Sequence, residues 1–111
     1  MVKAKILFVR RDEKKITIGF VKDIAFINLF LELPAVLKYK NHLEEFPALW
    51  KDEKIVKRKL LATDASKNYK ARGVDIDFVF GSKQVFVILH AVPKVIDNFM
   101  EKVNSMSEWN K

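Results

Sequence analysis

The 111-residue chain contains no cysteine. That excludes disulfide scaffolds, thiol catalysis, Fe–S clusters and cysteine-ligated zinc, and it fits a reducing, cytoplasmic setting. Glycine and proline are scarce at three each, too few for a collagen-like or linker-rich chain. No apolar run is long enough for a membrane: the longest, 24–33, is interrupted by Asn28 and Glu32 and falls well short of the ~20 residues that a spanning helix needs. The opening MVKAKILFVR has no long apolar core followed by a cleavage site, so a secretory leader is not expected. No G-x-S-x-G elbow or glycine-rich phosphate loop is present, and no cofactor is expected.

What is present is apolar and charged in quantity: 50% of residues are hydrophobic and 32% are charged. That balance and length fit one folded domain over residues 1–111. Residues 3–10 and 15–22 read as strands, the second because Ile16, Ile18 and Phe20 alternate with Lys15, Thr17 and Gly19. With Asp12 and Glu13 at the tip, Val9 would face Ile16 and Leu7 would face Ile18, leaving Ala4, Ile6, Phe8 and Val21 on the outer face. In a second hairpin, Val74, Ile76, Phe78 and Phe80 share one face, and Gly81-Ser82 suits a two-residue type II′ turn into QVFVILHA.

Helices are expected between and after the hairpins. Asp23 is a plausible N-cap for the apolar stretch 24–33, which also has the composition of a buried strand, and Pro34 marks an expected break. Val36, Tyr39, Leu43 and Phe46 follow at helical spacing, and a further helix is expected from about Ala48 to Ala62, with 66–73 as a loop. After Pro93, the residues Val95, Ile96, Phe99, Met100, Val103, Met106 and Trp109 form one apolar side of a final helix. The expected fold is α+β: a four-stranded antiparallel sheet from two β-hairpins, covered by helices, in the order ββ-helices-ββ-helix.

The formal net charge of +7 is concentrated in two segments, 1–22 and 51–72, each +5. On an ideal helix Lys51, Lys54 and Arg58 fall within about 60° of one another, with Lys57 adjacent and Lys67, Lys70 and Arg72 beyond, Tyr69 among them. Basic side chains interleaved with an aromatic suit a phosphate backbone, because releasing its counterions supplies affinity without sequence readout. The same lysines also serve as a solvated face that keeps a protein soluble. Arg72-Gly73 ahead of an aromatic strand resembles the start of the RNA-recognition strand motif, but Val74 and Ile76 stand where that motif needs rings, and nothing is carried over from it.

The chemistry-bearing residues are few. With Gly81-Ser82 as the turn, Asp77 would oppose Phe86, Asp75 would oppose Ile88, and His90 would lie diagonal to Asp75, within reach of a shared proton or cation. No third ligand accompanies them, so no metal site is expected. His42 has no second histidine at ligand spacing, and the two Asp-Glu-Lys triplets, 12–14 and 52–54, suit a turn and a first helical turn. The resulting expectation is a non-enzymatic basic domain that contacts DNA or RNA, without a membrane partner. The alternative is a homodimer or protein-interaction module that hides the apolar outer residues Ala4, Ile6, Phe8, Val21, Val79, Phe86 and Ile88.

Overall fold

The computed structural model describes residues 3–36, 53–62, 65–71 and 73–109. The fold is α+β. Among the described residues the order is β1 (Ala4–Arg11), β2 (Lys15–Val21), α1 (Ile24–Val36), α2 (Glu53–Ala62), β3 (Ala65–Ala71), β4 (Val74–Phe80), β5 (Gln84–His90), α3 (Pro93–Ser105) and β6 (Ser107–Trp109). The strands form one six-stranded sheet in the order β3-β4-β5-β2-β1-β6. Every pairing is antiparallel except β1 with β6, which is parallel, so the sheet is mixed rather than four-stranded and antiparallel.

Two strands lie outside the expected pattern. β3 occupies most of the expected 66–73 loop and pairs with β4 from Ala65↔Phe80 to Ala71↔Val74. Polar residues suffice there because an edge strand needs ladder bonds on one side alone. Gly73, at φ 81°, takes the left-handed backbone in the short link to β4, which glycine adopts without steric cost. β6 replaces the last turn of the expected helix. Ser105 and Ser107 donate their hydroxyls to the carbonyls of Lys102 and Val103, at 2.6 and 2.5 Å, satisfying acceptors that a continued helix would have used. Ser107 is buried there, and Trp109 stands half-exposed on the strand opposite Ile6.

Stretch 24–33 is helical. Asp23 caps it by accepting the Phe26 N–H at 2.9 Å, and Ile24, Asn28 and Glu32, four residues apart, are exposed in one stripe. The helix continues through Pro34 to Val36. So late in a helix, proline removes one backbone bond, while the preceding turns are held by buried Phe26, Ile27, Leu29 and Phe30. The turn expected through Tyr39, Leu43 and Phe46, the helix start at Ala48 and His42 lie outside the described residues.

Both hairpins form, each two residues out of the expected register. Asp12 N–H donates to the Lys15 carbonyl and Gly81 N–H to that of Gln84, both at 2.8 Å, so the tips are Glu13-Lys14 and Ser82-Lys83. Val9 therefore faces Ile18, and Phe80 faces Val85. A bulge between Ile6 and Phe8 adds Leu7 to β1. It reverses the facing of the strand's first half and buries Ala4 and Ile6 in the core, against expectation.

The core lies between one sheet face and the helices. Phe20, Phe26, Phe30, Phe78 and Phe80 form a connected ring cluster with centroid separations of 4.7 to 6.3 Å. Ile96, Phe99 and Val103 of α3 and Leu60 of α2 complete this side. Burying each such side chain contributes about 1.5–3 kcal/mol, so helical cover on this face accounts for the fold's cohesion. No described helix is long and apolar enough to cross a membrane.

Candidate nucleic-acid interface

On the sheet's other face, none of the described side chains is buried. Cross-strand register arranges it in rows. One runs Lys70, Asp75, His90, Lys15, and the next Asn68, Asp77, Ile88, Thr17, Arg10. A third runs Val79, Phe86, Gly19, Phe8.

The third row is aromatic. Phe8 and Phe86 are both only half-buried, and their rings lie 5.8 Å apart at an interplanar angle of 47°. Gly19 stands between them, and a methyl group there would overlap three carbons of the Phe8 ring, so glycine is what lets that ring lie against the sheet. Six of the nine phenylalanines, Phe20, Phe26, Phe30, Phe78, Phe80 and Phe99, are buried. Among the described phenylalanines, Phe8 and Phe86 are the two that stay partly exposed.

Charge is spread unevenly over the face, with Glu108 of β6 opposite Lys5 at one end and Lys70 of β3 opposite Asp75 at the other. On β1 and β2 its charged side chains are Lys5, Arg10 and Lys15, all exposed. Arg11 turns to the helical side instead and bonds Asp97 of α3 at 2.5 Å. β4 contributes Asp75 and Asp77, and the Asn68 amide donates to both, at 2.6 and 2.5 Å. Asp75 lies directly opposite His90, not diagonal to it, and Asp77 opposes Ile88. Among the described residues no group of three or more histidine or acidic side chains could hold a metal ion.

The described residues among those nominated from the basic segment 51–72 are divided between α2 and β3. Lys51 and Arg72 lie outside the described residues. Lys54 and Arg58 are exposed and Lys57 half-buried on α2, which packs on the helical side through Leu60. Lys67, Tyr69 and Lys70 belong to β3, where Lys70 is exposed opposite Asp75 and Lys67 and Tyr69 hold the alternate register positions, opposite Phe78 and Ile76. Arg10 and Lys15 belong to the basic segment 1–22, and Phe8 lies on the outer face as the alternation predicts; what the sequence does not show is that all three share one face with Phe86, which depends on the order of strands.

Comparison with protein-family models, with curated proteins and with solved structures finds no match for this chain.

Proposed function

We propose that the chain is a small non-enzymatic domain that binds nucleic acid across the open face of its sheet. The observation that carries this reading is the row Phe8-Gly19-Phe86, bordered on β1 and β2 by Lys5, Arg10 and Lys15. Exposed cations beside aromatic faces match the two components of a nucleic-acid strand, its phosphates and its bases. The net charge of +7 supports association with a polyanion through release of its counterions. The basic residues of α2 form a separate patch on the helical side, able to add long-range attraction but not to line the same strand.

Titration of a labelled oligonucleotide at several salt concentrations tests the reading. Affinity should fall linearly with salt on logarithmic axes, with a slope set by the number of phosphates contacted. Absence of measurable binding at low salt would refute it.

A second reading rests on Val79, 37% exposed beside Phe86 and Ile88. An apolar strip of this kind also suits a second copy of the chain docked face to face. The mass in solution distinguishes the two.

A further inference from the structure

We infer that the strand bound on this face is single, and that its unpaired bases stack on Phe8 and Phe86. The inference rests on the nucleic-acid reading above and specifies the class of ligand.

Width is the first argument. Six strands at about 4.8 Å spacing make a face roughly 24 Å across, whereas the duplex major groove is about 12 Å wide and admits a helix or a two-stranded ribbon. In the row of the rings the sheet is five strands wide, from β3 to β1: Phe86 stands on the interior strand β5, and Phe8 on β1 just past the three residues that β6 pairs, so the rings lie on a broad face and not on a narrow ribbon that could enter a groove. Bases paired in a duplex present their edges in the grooves and keep their flat faces covered by neighbouring bases, out of reach of a ring on a broad sheet. Unpaired bases can splay onto it.

The second argument is how the rings are held. Phe8 lies against Gly19 and meets Phe86 at 5.8 Å, so the two rings brace each other while each stays partly exposed. Rings already ordered lose little further freedom when a base stacks, and stacking is sequence-tolerant because every base has a π face. Charge supplies the third argument. On this face β1 and β2 carry Lys5, Arg10 and Lys15 and no carboxylate; the carboxylates stand on β4, as Asp75 and Asp77 with Lys70 of β3 opposite Asp75, and on β6, as Glu108 opposite Lys5. A strand with its bases over the rings would therefore run its phosphates past Arg10, Lys15 and Lys5, away from Asp75 and Asp77.

The experiment uses the full chain and a fluorescein-labelled oligonucleotide of mixed sequence, as single-stranded DNA, single-stranded RNA and the corresponding duplexes. Single strands should bind at least about tenfold more tightly than duplexes. Phe8→Leu and Phe86→Leu keep an apolar side chain but lose the π face. Each should weaken single-strand binding about tenfold at unchanged salt slope, while Phe8→Tyr and Phe86→Tyr retain it. Circular dichroism of each variant confirms that it folds, and the tyrosine variants keep the test decisive if a leucine variant does not. Equal binding of duplex and single strand, undisturbed by the leucine variants, would overturn stacking and leave the nucleic-acid reading intact. No binding of any oligonucleotide would overturn both. A dimer in solution that Phe86→Leu converts to monomer, without effect on oligonucleotide binding, would assign the rings to self-association and also overturn stacking.

Discussion

Phe8 and Phe86 flank Gly19 in one row of the sheet, and their rings close over it to a centroid separation of 5.8 Å. Their strands are separated by β2, which puts the two backbones about 9.5 Å apart. The rings therefore lean inward across the space that the glycine leaves open.

This relationship makes Gly19 sensitive to size. Gly19→Val should destabilise the fold by about 1–3 kcal/mol, because the added carbons displace Phe8 and force it from its rotamer. Phe8→Ala in the same chain should recover part of that loss, with a coupling of about 0.5–3 kcal/mol. Urea unfolding of the two single variants and the double variant measures it, and strict additivity would show that the contact carries no energy.

Phe99 should tolerate no charge. It is 1% exposed beneath α3, and Phe99→Asp leaves an unpaired buried carboxylate costing several kcal/mol, of the order of the whole stability. The variant is expected to be unfolded at room temperature by circular dichroism. A wild-type melting temperature would mean that α3 is not docked.

At the acidic end of the open face, Asp75→Asn and His90→Gln should each change stability by less than about 1 kcal/mol, as befits partly exposed polar groups. Zinc or manganese should leave the melting temperature where it is. A rise with either ion, abolished by both substitutions, would establish a metal site there through preferential binding to the folded state.

The two basic surfaces should differ in their response to salt. Arg10→Gln with Lys15→Gln should make the slope of single-strand binding shallower by up to about 0.7 per lost phosphate contact. Replacing Lys54, Lys57 and Arg58 together by Gln should alter it less, since α2 packs on the helical side of the sheet. A larger effect from the triple variant would move the phosphate path to the helices.

Both hairpins were legible because Ile16, Ile18 and Phe20, and then Val74, Ile76, Phe78 and Phe80, alternate with less apolar neighbours and all face the core. Their registers were not. A shift of two residues keeps every side chain on its own face, so alternation cannot separate Phe80↔Val85 from Phe80↔Lys83; the choice lies in turn geometry. The bulge at Leu7 was hidden for a related reason: in KILFV all but the lysine are apolar, and no parity stands out. β3 carries too little apolar signal to be read as a strand, and β6 sits where helical spacing continues past the true helix end. The candidate site was half legible, since Phe8, Val79, Phe86 and Ile88 were all expected to face outward, but the meeting of Phe8 with Phe86 depends on the order of strands.

That order also bears on how the chain folds. The central seam of the sheet joins β2 to β5, pairing Lys15 with His90 across most of the sequence. Each hairpin can form from local contacts, yet neither can complete an interior until this distant seam closes, and closing a long loop costs entropy before contacts repay it. Folding should accordingly be slow for a domain of this size and concerted, with the N-terminal hairpin covered in part by α1, through Phe26 on Phe20, but lacking its sheet neighbour until β5 has been synthesised. A fragment ending before β5 would leave the inner edge of β2 unpaired.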